Sequence, residues 1–475
     1  MVDDAGQLFC EPGVFPLGEI ERGEPGHAAD EVTVDLHSRE YSQPLDAPVG
    51  APLPSWSAVN ALPEARPALR RLSRRRTVRL ARRASAASGV PFLLVGGAVR
   101  DALLGLPAGD VDLAVPREGA AEFAETLARF GGSRALTIGQ SPRRILHVPL
   151  GASSVDVWET DGDPEDDLLR RDFTINALGL SFPGGRLVAL PGALDDLSAR
   201  RLRLPRAGVL LEDPLRVVRA ARFLARLPGF RLDPAALGEL LRAARRLGNV
   251  APERRLSELD AILASGPRPA ALALARLEAW GALEALLPGI SRASRRRGIR
   301  LAGAAGASTS APLLRTILLS PAGSGPAGAA LEALRASRHD RRLAKTLLGL
   351  PRPPRTASRR EAVLLLRRSA PFSREAAAFF AVARGAAGRA LALEAERLLS
   401  ERGALSRLLT PRRPFDAADV SRLLGVSGSA LGLALARLDE ALATGAVRGR
   451  REARAFLAAT EPPPRLPSGT TTRPV

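Results

Sequence analysis

Cysteine is almost missing from this chain. Cys10 is the only one in 475 residues, which excludes an internal disulfide and a thiolate metal site. Histidine is nearly as scarce, with His27, His37, His147 and His339 scattered along the sequence. A histidine-rich metal centre is therefore not expected, and carboxylates are left to hold any catalytic ion. No stretch approaches the roughly 18 uncharged apolar residues that a membrane span needs, and the first residues are acidic where a signal peptide is basic. A cytoplasmic location with no membrane partner is the expectation. Aromatic residues make up 4% of the chain, with a single tyrosine, which leaves little for stacking the bases of a single strand.

What the chain does have is arginine. Lys345 is the only lysine, and the net charge is +19. Residues 1–60 hold eleven acidic residues against two arginines, a net of −9, which leaves +28 on the remainder. That asymmetry points to a polyanionic partner such as nucleic acid, read as a duplex by phosphate and shape. A compositional preference for arginine is the plainer alternative.

Along the chain, residues 1–65 are rich in Pro, Gly and acid and lack periodicity, so a flexible leader is expected. From Pro67 to Ser88 the arginine-rich run predicts one strongly basic helix, either a solvated face or one turned toward RNA. Between Pro91 and Leu204 the short apolar runs FLLVGG, VDLAV, ILHVPL, SVDVW, INALGL and RLVAL read as strands interleaved with helices. After Glu212, Ala, Leu and Arg recur at helical spacing, broken by Pro or Gly. The predicted class is α+β. A head at 66–204, including the basic helix, is followed by a helical neck at 205–265, a helical body at 266–400 and a helical tail at 401–475.

The chemistry centres on Leu94-Val95-Gly96-Gly97-Ala98-Val99-Arg100-Asp101 and on Asp110-Val111-Asp112. A strand ending in Gly96-Gly97 brings backbone amides close to a triphosphate with no Cβ in the way. Arg100, one turn on, can pair with phosphate oxygens. Asp110 and Asp112, two apart on an apparent strand, would project from one face as metal ligands for phosphoryl transfer. Asp156, in the run SSVDVWET, is either a third carboxylate or an exposed strand residue.

The segment VGGAVRDALLGLPAGDVDLAV resembles the first motif of the class II tRNA nucleotidyltransferases and bacterial poly(A) polymerases, within the DNA polymerase β superfamily. Three further motifs follow in that family's order: Asp167 to Leu178, Glu212 to Phe223, and Pro252 to Leu259. The resemblance implies a polymerase β-like head, Mg²⁺ at Asp110 and Asp112, and tRNA, CTP and ATP as partners, with no stable protein partner implied. It implies triphosphate contact by Arg171 and ribose contact by Asp172. An ion pair with Asp166 or Asp167 is the structural alternative for the neighbouring arginines, expected for Arg170 before Arg171.

In the third motif, Pro214 suits a helix start with Asp213 as its cap, and Arg216, Arg219 and Arg222 share one face. The resemblance makes Asp213 and Arg216 an amino-acid template. Cytosine and adenine both place an amino donor beside an unprotonated ring nitrogen, which a carboxylate and a guanidinium can meet. Uracil and guanine reverse that order. Arg219 and Arg222 either serve phosphate or hold the helix in place, and the fourth motif is expected to brace the neck without touching substrate. In the tail, Val426-Ser427-Gly428 either docks RNA by backbone amides or is a plain helix turn.

One departure from the family stands out. Only TDGDPED separates the strand near Glu159 from the second motif, where CCA-adding relatives have a longer loop and CC-adding relatives a shortened one. No His-Asp phosphohydrolase signature is present. The expected activity is template-independent CCA addition to tRNA. CC addition, poly(A) synthesis and an inactive RNA-binding homologue are the alternatives.

Overall fold

The structure is a computed structural model, and it describes residues 65–107, 109–139, 144–401 and 408–459. The expected leader lies outside the described residues but for its last position. Where one basic helix was expected there are two, α1 (Ala65–Ser73) and α2 (Arg76–Ser88). The α2 helix buries Val78, Leu80, Ala81 and Ala84 and turns its arginines outward.

The strand β1 (Phe92–Val95) is buried at every position. Four apolar side chains, each contributing about 1.5–3 kcal/mol on burial, fix the point from which the chain emerges at Gly96. The helix α3 (Gly97–Leu103) follows, then β2 (Val111–Pro116) and α4 (Arg117–Gly131). Next come β3 (Leu136–Ile138), β4 (Ile145–Pro149), β5 (Ser154–Thr160), β6 (Leu178–Phe182) and β7 (Arg186–Ala189). Together they form a sheet of order β3-β4-β5-β2-β1-β6-β7. β1 runs antiparallel to β2 and β6, whereas β2 and β5 are parallel. The edge strand β3 gave no sequence signal because all of its residues are exposed. The Ile175 and Asn176 of INALGL are not strand but part of a 3-10 turn, Thr174–Asn176, and Ala177 follows it before β6 begins.

Period-two alternation sorts the half-sheet β4-β5-β2 into two faces. Leu146, Val148, Val155, Val157, Val111, Leu113 and Val115 are buried, and α4 packs against β2, β4 and β5. The alternate positions, His147, Asp156 and Asp112, belong to the other face. The side chains that carry charge are thus separated from the core by the strand geometry itself.

Beyond the sheet the chain is almost entirely helical. The helices α5 (Ala193–Ser198), α6 (Val209–Glu212), α7 (Leu215–Arg226), α8 (Pro234–Ala244), α9 (Pro252–Leu263) and α10 (Pro267–Ala279) lead into a helical array that continues to Ser400. A two-residue parallel pairing, Arg201–Leu202 with Arg231–Leu232, interrupts the run. One hydrophobic core extends from Leu72 to Ala344, so the boundary expected at 265/266 falls inside continuous packing, where α10 lies against α7. A second core runs from Leu313 to Leu408. The helices Ala417–Leu424, Gly428–Thr444 and Arg450–Ala458 make a third around Phe415, Val420 and Leu438.

Candidate active site

Asp112 on β2 is the register partner of Asp156 on β5, and Asp156 is in turn the partner of His147 on β4. The imidazole Nδ1 of His147 lies 2.6 Å from Oδ1 of Asp156. Burial pushes the Asp112 carboxyl up to about 6, with Arg171 opposing and the charge of Asp156 adding to the rise. Asp110 is exposed and lies just outside β2, which begins at Val111, so only Asp112 of the pair is held in the sheet. His147 was not singled out by its sequence. Its alternation with Leu146 and Val148 was the available signal.

Gly96 has φ +75°, and a Cβ there would lie 3.5 Å from Nη1 of Arg171 and 3.8 Å from Oδ2 of Asp112. A side chain at this position would be strained and would crowd the site. Val95, just before it, is paired with Asp112. The Gly96-Gly97 turn is therefore a backbone floor beside one carboxylate and one guanidinium.

Arg100 does not face this floor as a free cation. It is 6% exposed. Its Nε and Nη2 donate to Oδ1 of Asp101 at 2.8 and 2.7 Å, and its Nη1 donates to Oδ1 of Asn176 at 2.5 Å. The amide of Asn176 donates on to Oδ1 of Asp172 at 2.8 Å. Asp172 also accepts from its neighbour Phe173 N at 2.9 Å and from Nε of Arg219 at 2.7 Å. Burial alone would raise the Asp172 carboxyl, but the charge of Arg219 and the bonds from Asn176 and Arg219 hold it down at about 2. The charge of Asp172 in turn raises Arg219. Asn176 joins the first motif to the second, and it lies four positions after Asp172.

Arg171, and not Arg170, makes the ion pair with Asp167, contrary to the order expected from sequence. The contribution of Arg170 is its carbonyl, which accepts from Nη2 of Arg216 at 2.6 Å, while Nη1 of Arg216 donates to Val209 O at 3.0 Å. Asp213 accepts from Leu215 N at 3.3 Å, a weak cap, and from Nη2 of Arg254 at 2.7 Å. Glu258 faces Arg219 at 3.3 Å and Arg222 at 3.4 Å. Arg219 and Arg222 are thus engaged in holding α7, and α9 supplies Arg254 and Glu258 to brace it.

The short linker is tied down along its length. Asp161 pairs with Arg117 at 2.9 Å. The side chain of Asp163 caps the 3-10 helix Pro164–Arg170 by accepting from Glu165 N at 2.9 Å, and Glu165 pairs with Arg186. Only Asp161 to Asp163 separate β5 from that helix.

Among the described residues no group of three His, Cys, Asp or Glu side chains forms a ready-made metal cage. Mg²⁺ does not require one. It is commonly held by one or two carboxylates with water and substrate phosphate completing its shell. Asp112 beside Asp156, two carboxylates on one face of adjacent strands, fits that donor set.

Residues 92–203 match the poly(A) polymerase head domain, and residues 229–294 match the probable RNA and SrmB-binding site of polymerase A. A multifunctional CCA protein of Xanthomonas campestris is 39% identical over 209 residues, covering 41% of this chain and 50% of the relative. A CC-adding tRNA nucleotidyltransferase of Synechocystis is 38% identical over 175 residues, covering 36% of this chain and 41% of the relative. An A-adding tRNA nucleotidyltransferase of Deinococcus radiodurans is 40% identical over 200 residues, covering 41% and 44%. The chain spans about half the length of the curated relatives it matches. The Bacillus stearothermophilus CCA-adding enzyme in complex with CTP superposes with a TM-score of 0.62 at 26% identity, covering 81% of this chain and 97% of that one. The chain thus carries a match to the poly(A) polymerase head domain followed by a match to that polymerase's RNA-binding segment, and its fold is similar to that of a CCA-adding enzyme.

Proposed function

We propose that this protein adds CCA to the 3′ end of tRNA from CTP and ATP, without a nucleic-acid template, in a Mg²⁺-dependent reaction in the cytoplasm. The observation that carries the reading is the bond from Arg219 to Asp172, which fastens α7, with Arg216 on it and Asp213 just before it, to the head that carries Asp112 and Asp156. A base-reading edge and a phosphoryl-transfer face then belong to one clamped unit.

On this reading Asp110 and Asp112, with Asp156 beside them, would hold Mg²⁺. Bound there, it would neutralise the triphosphate and lower the pKa of the RNA 3′-hydroxyl. Gly96 and Gly97 let the triphosphate approach the backbone, and Arg171 exchanges its pairing with Asp167 for phosphate oxygens. Arg100 acts through Asn176, holding the second motif in place. Asp172 already takes three protein donors, so its main work is to hold Arg219, and a bond to the ribose would use its remaining lone pair. Asp213 and Arg216 present an acceptor and donors to the base, which favours C and A over U and G.

The anchored linker supports a second reading, CC addition. Cytosine and adenine differ in size, and a pocket serving both must shift, since a misplacement near 1 Å can cost about a hundredfold in rate. Asp161 to Asp163 leave little chain for that movement. Incubating tRNA that lacks CCA with CTP alone, ATP alone and both, read at nucleotide resolution, tests all readings. CCA ends support the first and a stop at CC the second. Long A tails on many RNAs would instead indicate a poly(A) polymerase, and no addition at all an RNA-binding homologue.

A further inference from the structure

The outer face of α2, a helix that packs on α4 over the apolar side of the sheet, forms a basic groove. Its cavity, about 940 Å³, is lined by Arg76, Arg79, Arg82 and Arg83, with Phe182 and Pro183 across from them. One end of the groove sits at the start of β1, next to Pro91, and at the other Arg75, beside Arg76, donates to the carbonyl of Gly109 at 2.9 Å, so α2 runs along the head between the two ends of that strand. Helical periodicity explains the stripe: α2 buries Thr77, Val78, Leu80, Ala81, Ala84 and Ser85, so positions 76, 79, 82 and 83 share the exposed side. At 1.5 Å per residue the four guanidinium stems span roughly 10 Å of helix.

These charges are not neutralised from within. Among the described residues no carboxylate pairs with Arg79, Arg82 or Arg83, whereas Arg219, Arg222 and Arg254 around α7 each have one. Instead Arg82 lies over the ring of Phe182 at 5.6 Å and Arg83 over that of Phe130 at 4.5 Å. Stacking on a ring orients a guanidinium and leaves its N–H edge free to donate. Arg76 is fixed by donating to the carbonyl of Leu150 at 2.9 Å. Phe182 stacks on Phe92 at 4.8 Å and is 3% exposed, so no ring surface remains to take a base. The groove offers donors for phosphate and nothing that reads sequence.

We propose that this groove is a second phosphate-binding site, on the head, that takes the sugar-phosphate backbone of an RNA duplex. It goes beyond nucleotide addition and does not require that reaction. A row of oriented arginines along one helix suits successive phosphates of a strand, and the +28 charge outside residues 1–60 supplies the long-range attraction.

The test is the salt dependence of RNA binding by the full-length protein, wild type against Arg79→Gln/Arg82→Gln/Arg83→Gln, with a 16-base-pair RNA duplex lacking single-stranded ends. Each phosphate contact contributes close to one unit to the slope of log affinity against log salt. The triple variant is expected to lose about two to three units of slope and at least tenfold in affinity at low salt, with an unchanged melting temperature. An unchanged slope with intact melting overturns the proposal. Should the triple variant melt early, Arg79→Gln alone, which stacks on no ring, is expected to lose about one unit, and no loss there overturns it too. Equilibrium dialysis with CTP separates a backbone from a free nucleotide as the source of phosphate. Loss of a second CTP site in the triple variant, with the RNA slope intact, overturns the RNA assignment.

Discussion

Nε of Arg219 on α7 lies 2.7 Å from Oδ2 of Asp172 in the head, and the two groups polarise one another, the carboxyl held at about 2 and the guanidinium raised. Replacing Asp172 by Asn removes the charge and leaves Arg219 with Glu258 at 3.3 Å. The side chain of Arg219 is 37% exposed, so solvent screens part of the loss, and about 1–3 kcal/mol of stability is expected to go. Because the folded carboxyl lies below its ordinary value near 4, its contribution is present above about pH 4 and disappears as pH falls toward 2. Urea unfolding of wild type and Asp172→Asn should therefore differ clearly at pH 7 and converge near pH 2. A gap that stays constant over that range would mean the charge of Asp172 is not what stabilises the junction.

Asp112→Asn should abolish nucleotide addition, by a factor of at least a thousand, with the melting temperature unchanged or raised, because Asp112 is a charge the fold buries at a cost. Mg²⁺ with CTP should raise the melting temperature of the wild type and not of this variant. Addition within tenfold of wild type in Mg²⁺ would remove Asp112 from the metal site.

Replacing Asp213 and Arg216 by Ala should raise UTP and GTP incorporation relative to CTP while total activity falls. Arg254 donates to Asp213 at 2.7 Å, so Arg254→Ala should produce the same loss of selection in weaker form. Competition between CTP and UTP on one tRNA reads both. Unchanged discrimination with lower stability alone would assign Asp213 to capping.

Glu258 touches only α7 among the charged groups described around it. Glu258→Gln should weaken that bracing, lowering the melting temperature by a few degrees and increasing UTP misincorporation several-fold. A variant that melts early yet selects CTP as well as wild type would show that α7 keeps its position without α9.

Much of this was legible in the sequence because strand and helix periods are written in apolar residues. Three of the seven sheet strands lie within the runs FLLVGG, ILHVPL and RLVAL, β2 and β5 run past the ends of VDLAV and SVDVW to Pro116 and Thr160, and β6 takes the end of INALGL. The motif residues likewise gather around one head–neck junction. What the sequence could not convey was pairing. Arg100 looked like a phosphate ligand, but its guanidinium is shared between Asp101 and Asn176, which lies 76 positions away. The Asp110-Val111-Asp112 spacing suggested two equivalent strand residues, whereas the sheet begins at Val111. Asp156 was left open between a third carboxylate and an exposed strand residue and His147 was not singled out at all, and it is register that sets both beside Asp112, since no strand alone says what it will lie beside.

The alternation that puts Val111, Leu113, Val155 and Val157 on one side of the sheet and Asp112 and Asp156 on the other also acts as a proofreading device during folding. A slip of β2 by one residue against β5 would turn Asp112 into the apolar layer and Val111, Leu113 and Val115 out to water, and a slip of β5 would do the same to Asp156, Val155 and Val157. Each stranded charge would cost several kcal/mol and each exposed valine about 1.5. A molecule with mispaired strands is therefore unfit to persist as well as unfit to react, and the population that survives folding is the one whose carboxylates are already aligned.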